Sequence, residues 1–178
     1  MEAPASTTLV VVGDEATNAI HALEGYANVQ AASLHDATDA EVARWSATSA
    51  APYVVHDHDP LAHVAAAWVE FFDDQSTYGV LELEIERALD AAVRHDFSVP
   101  DYYVVIHPEV LPVTWKHWWL GVLSSASPSR VIPWPSADDS LAGLLRHLPT
   151  ARAWPDVDAW LPKVRGAIPD RVGLPGAN

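Results

Sequence analysis

Short apolar runs alternate along this chain with longer segments in which apolar residues recur every three or four positions. TLVVV at residues 8–12 is uninterrupted and stops at Gly13, the pattern of a strand buried on both faces. NVQAAS over 28–33 reads as a weaker strand, PYVVH from Pro52 as a third and YYVVIH over 102–107 as a fourth. RVIPW near residue 132 makes a short fifth. Its Pro133 cannot donate to a ladder, which predicts an edge position.

Helices are predicted between these runs. One should cover 16–24 and end at Gly25. Thr38 and Glu41 have capping-box spacing, so 39–47 should be helical with Val42 and Trp45 inward. Asp59 suits an N-cap and Pro60 a first helical position, ahead of Leu61, Val64, Ala65, Trp68, Val69 and Phe72 at helical spacing. LELEIE alternates like a strand, but the following RALDAAVR favours a helix over 79–94. That helix puts Leu81, Ile85, Ala88, Leu89 and Ala92 on one face and Glu82, Glu86 and Asp90 on a solvated one. TWKHWWLGVL is predicted helical. Ser136 and Asp139 repeat the capping-box spacing before LAGLLRHL, whose Leu141, Leu144, Leu145 and Leu148 share a side. From Thr150 the chain is rich in Pro and Gly, with a short helix expected over 156–161. This tail should wrap the surface, its last residues loose.

Strand followed by helix, five times over, predicts an α/β fold: a single doubly wound, mainly parallel five-stranded sheet. Right-handed crossovers leave few topologies. The expectation is a flavodoxin-like order, 2-1-3-4-5, with an extra helical pair between strands 3 and 4; a Rossmann-like half is the competitor. The 178 residues read as one domain, without an internal repeat or a dividing linker.

Composition narrows the function classes. With 49% apolar residues the chain should be globular, and it has no apolar run long enough to span a membrane. MEAPASTTLVVV lacks the basic flank and long apolar core of a secretory signal, so the expected location is cytoplasmic. There is no cysteine, which excludes disulfides, thiolate catalysis and cysteine-bound zinc. A net charge of -14 argues against nucleic acid as a partner. Eight tryptophans are present, six of them after residue 114. Core packing is the plain explanation. The sharper one is a contact surface for a protein partner or a second copy, since Trp115, Trp118 and Trp119 share a helical face. Trp154 and Trp160 offer themselves as a cover.

Ligands of such sheets bind beyond the carboxyl ends of the strands, here expected between strands 1 and 3. Gly13, Asp14 and Glu15 follow strand 1, His35 and Asp36 strand 2, His107 and Glu109 strand 4. Strand 3 is followed by HDHDP. The predicted crevice is therefore polar and built from Asp14, Glu15, His56, Asp57, His58 and His107. In extended backbone alternate side chains point the same way, so His56 and His58 could converge with Asp14 on one divalent metal ion. That would suit a small metal-dependent hydrolase. Pro60 and Leu61 stand where the H-x-H-x-D-H run of metallo-β-lactamases has Asp and His. The plain alternative is a strand end bonded to neighbouring backbone, with Asp59 as a helix cap. Glycine-rich phosphate loops and a G-x-S-x-G elbow are absent, and Ser124, Ser125 and Ser127 read as loop residues.

LVVVGDE and VVHDHDP together resemble the acidic end of strand 1 and the phosphorylated aspartate of two-component receiver domains. The resemblance implies that Asp14 and Glu15 would hold Mg²⁺ and that Asp57 would accept phosphate. The chain departs from the pattern at Gly13, at Ile106 and His107, and at Trp134 and Pro135, where an acid, a hydroxyl residue and a lysine belong. The favoured expectation is thus a binding or regulatory module without catalysis. A metal hydrolase and a degenerate receiver-like domain are its alternatives.

Overall fold

Leu9 to Val12 contain no polar side chain, and they form the buried part of β1 (Thr7–Val12), hydrogen-bonded in parallel to a strand on each side. The structure, a computed structural model, describes residues 6–135 and 140–169. β2 (Val29–Ala32), β3 (Tyr53–His56), β4 (Tyr102–Ile106) and β5 (Val131–Trp134) complete a single five-stranded parallel sheet, as the alternation predicts. β5 lies at an edge, where Pro133 costs no ladder bond.

The strand order is β2-β3-β1-β4-β5, which corrects the expected 2-1-3-4-5. Short right-handed crossovers permit both orders. What separates them is the polar end of strand 3. β1, the most thoroughly apolar strand, takes the centre, while β3 stands beside β2, whose following residues supply hydrogen-bond donors to HDHD. The register places Ala32, His56, Val10 and Tyr103 in one row across four strands, so their side chains share a face of the sheet.

The helices are α1 (Ala16–His21), α2 (Asp39–Ala47), α3 (Ala62–Phe72), α4 (Tyr78–Val93), α5 (Val113–Lys116), α6 (Ser124–Ala126), α7 (Leu141–Leu145) and α8 (Val157–Trp160). α2 carries the predicted capping box: Glu41 N–H donates to Thr38 Oγ1 and Thr38 N–H to Glu41 Oε2. α3 and α4 are the extra helical pair between strands 3 and 4. α3 starts later than its sequence signals suggest, with Leu61 at the cap, because the Asp59 carboxylate is engaged by Tyr103 instead. TWKHWWLGVL is helical, but α5 widens into a π-helix over His117–Leu123 before α6. The predicted Ser136–Asp139 cap and the loose last residues, 170–178, lie outside the described residues.

Two compact units result, each assembled from three stretches of sequence. One, residues 1–59, 100–109 and 132–150, holds the strands with α1, α2 and α7. The other, residues 60–99, 110–131 and 151–178, is helical. In it α3 packs on α4, and Trp68, fully buried, contacts Phe72 and Trp118 and donates its indole N–H to Ala167 O. The tail thus returns to the helices. Trp118 and Trp119 are buried within the chain, and Trp115 stacks on Trp119 with ring centres 4.9 Å apart. For Trp118 and Trp119 the plain reading, core packing, is the one observed; only Trp115 remains half-exposed.

Gly13 ends β1 with φ +113°, and a Cβ there would lie 2.6 Å from Ile106 O. Gly25 shares a positive φ, +92°, but faces open space. Gly25→Ala should therefore cost about 1 kcal/mol of conformational strain, and Gly13→Ala about 3 kcal/mol, since a backbone carbonyl of β4 must also yield. Urea denaturation of the two variants beside the parent measures the difference. Equal losses would show that the β1–β4 approach is not the constraint.

Candidate functional site

HDHD leaves the end of β3 with the side chains of Asp57, His58 and Asp59 held by hydrogen bonds, whereas the buried Nδ1 of His56 has no hydrogen-bond partner among the described residues. Asp57, its side chain 4% exposed, accepts from Ser33 Oγ (2.6 Å), from Leu34 N–H (2.5 Å) and from Thr17 Oγ1 (3.1 Å). His35 Nδ1 lies 3.7 Å from the same carboxylate. Burial by itself raises the Asp57 pKa, but the hydrogen bonds from Ser33, Leu34 and Thr17 outweigh it and hold the carboxyl below its ordinary value. This charge is stable because it is saturated.

The histidines diverge. His58 turns to Asp39 on α2, Nε2 to Oδ1 2.7 Å, and its ring centre is 6.5 Å from that of His56. His56 is 4% exposed and meets Trp45 edge-on, with ring centres 6.1 Å apart. Burial, and after it the neighbouring His58, lowers its pKa to about 4, with Asp57 pulling less strongly the other way. Tyr103, fully buried, donates its hydroxyl to Asp59 Oδ1 at 2.9 Å. Burial and then the Asp59 charge push the phenol well above 10, so it remains a donor.

HDHD is therefore a fastening. It ties β3 to α1 through Thr17, to the end of β2 through Ser33 and Leu34, to α2 through Asp39, and to β4 through Tyr103. Among the described residues no three His, Asp or Glu side chains are grouped to hold a metal ion, so His56, His58 and Asp14 do not form the metal centre that HxH suggests. Asp14 is exposed at the turn after β1.

Glu15 and His107, the remaining crevice candidates, do come together. They line one cavity of about 240 Å³ with Asn18, Leu23 and Tyr26, with Ile106 and Trp134, and with Ser140 and Leu141. It lies beyond the carboxyl ends of β1, β4 and β5. In the observed order the connections leave β1 toward β2 and β4 toward β5, so the switch point falls between β1 and β4 rather than β1 and β3. Asn18 donates to the Glu15 carboxylate, fixing it at the start of α1. His107 has φ +46° and donates its N–H to Trp134 O at 2.8 Å. A non-glycine residue in that conformation is strained, and such residues collect at sites. Among the described residues the walls are mostly apolar, with Glu15, Asn18, His107 and Ser140 as polar groups. Asn18, Tyr26 and Trp134 gave no signal in sequence, because each joins the cavity only through the β1–β4–β5 adjacency.

No protein-family model, curated protein or solved structure matches the chain.

Acid should loosen the fastening. The unfolded chain protonates His56 near 6.5, whereas the folded chain resists until about 4. Stability is thus complete above 6.5 and falls with pH between those values, by up to about 3 kcal/mol. Asp57, lowered in the fold, adds a further loss as pH falls through its depressed value. Thermal unfolding recorded from pH 7 to pH 4 should show the slope for the parent, and a shallower one for His56→Leu. Identical slopes would remove His56 as its source.

Proposed function

We propose that the chain is a binding module whose ligand occupies the crevice beyond β1, β4 and β5, with Glu15 and His107 as its orienting contacts. The observation that carries this reading is the coincidence of a cavity, the sheet's switch point and the strained His107 backbone at one place. A cavity of about 240 Å³ suits a small ligand. Its apolar walls favour an apolar body, and the Glu15 carboxylate favours a donor or cationic group on it.

A binding role is preferred to metal-dependent hydrolysis because Asp57, His58 and Asp59 already have protein partners, and freeing them would leave buried groups unsatisfied. The receiver-like reading is weakened on the same ground. An Asp57 enclosed by Ser33, Leu34 and Thr17 is poorly placed as a phosphate acceptor, and the sheet order is not the 2-1-3-4-5 of receivers.

A screen of small amines and neutral heteroaromatics against ¹⁵N-labelled protein tests the proposal. Hits should move the amides of Glu15, Asn18, His107 and Trp134 together. Ala22→Trp, a substitution at an exposed alanine of the cavity wall, should abolish those shifts while leaving the fold intact. Hits that persist in this variant, or that shift HDHD instead, would place the binding site elsewhere.

A further inference from the structure

Glu15 brings to the strand-end crevice a charge that the rest of the fold leaves unused. It stands at the N-cap of α1, yet its side chain makes no cap hydrogen bond there; the Asn18 side chain holds it instead. Among the described residues no cation pairs with this carboxylate, and no lysine or arginine lines the cavity. Two wide aromatic side chains, Tyr26 and Trp134, line the same space. Neither is sealed in the core: Tyr26 is 42% exposed and Trp134 half-exposed. Their backbones are pinned, since Trp134 O accepts from His107 N–H at 2.8 Å and Tyr26 O from Val29 N–H at 3.0 Å.

An aromatic ring attracts a cation to its face, tryptophan most strongly, and a carboxylate attracts the same charge. The two differ in what they ask of the ligand. A carboxylate accepts N–H bonds, whereas a ring takes a cation that has no N–H to give. A primary ammonium carries three donors and needs acceptors for them once it leaves water. Here part of its surroundings would be the hydrocarbon of Ala22, Leu23 and Ile106. N-Methyl groups remove that demand and present an apolar surface to those walls. We infer that the strand-end crevice takes a small alkylated ammonium ion, its head against Tyr26 and Trp134 and its charge balanced by the Glu15 carboxylate. This rests on the binding role proposed above and names the class of its ligand.

Choline is the probe. Dimethylbutanol, in which a tert-butyl group replaces the trimethylammonium, is its uncharged isostere, and ethanolamine is the amine without methyl groups. Titration followed by ¹H–¹⁵N spectra should show choline moving the amides of Glu15, Asn18 and His107 together with one indole N–H, assigned to Trp134 by its loss in Trp134→Leu. Dimethylbutanol should bind about tenfold more weakly, and ethanolamine several-fold more weakly. Glu15→Gln, which keeps the side-chain volume, should weaken choline about threefold and leave dimethylbutanol unchanged. Trp134→Leu and Tyr26→Leu, the second at an exposed ring, should each weaken choline by about the same factor. Equal affinity for choline and dimethylbutanol at the crevice would overturn the cation and leave the binding role standing. Ethanolamine binding as tightly as choline would overturn the alkylated class. Choline shifts confined to other residues would remove the inference alone, as would their absence at tens of millimolar in protein whose crevice amides answer to other compounds. A crevice that answers to no compound would remove the binding role, and the inference with it.

Discussion

The carboxylate of Asp57 is withdrawn from water at the end of β3, and a lone buried carboxylate is among the costliest groups a fold can carry. Its donors come from three places: a hydroxyl and an amide just after β2, and a hydroxyl on α1. Those donors are in reach only if β2 lies beside β3. The strand order and the chemistry of HDHD are therefore one constraint. An order with β1 between β2 and β3 would strand Asp57 a strand-width from Ser33 and Leu34.

That constraint also decides where a ligand has room. With Asp57, His58 and Asp59 committed to the protein, the end of β3 is closed chemistry, although it is the most polar stretch in the sequence. The opening shifts to the other side of β1. There Gly13 lets the chain run so close to β4 that a Cβ would lie 2.6 Å from Ile106 O, and His107 turns through a left-handed conformation. Both features bring the β1 and β4 loops close at their start and part them afterwards. Glu15 and His107 are left facing a common space.

Much of the fold was legible from periodicity. β1, β3, β4 and β5 and helices α2 and α4 lie within a residue or so of their predicted spans, and the Thr38–Glu41 box forms as its spacing implies. Alternation and capping are local, so sequence carries them. The strand order is not local; it depends on which side chains satisfy Asp57, and a single chain read in order does not say that Ser33 will meet Asp57. Asp59 misled for a related reason, since a good cap residue next to Pro60 was claimed by a tyrosine 44 positions away. The tryptophans were ambiguous because an apolar helical stripe looks the same facing a core or a partner. Trp118 and Trp119 are settled by burial alone. Of the six crevice candidates, Glu15 and His107 lie at the cavity, Asp57 and His58 serve the fastening, and His56 is buried edge-on against Trp45.

The formal charge of -14 says little about what the strand-end crevice would select. At physiological salt charges are screened over about 8 Å, so the surface carboxylates set the approach of a ligand rather than its affinity once docked. The same screening means that the Glu15 crevice cannot rely on net charge to capture a cation and must select by its own few groups. The global charge instead disfavours bulky polyanions, which span more than a screening length.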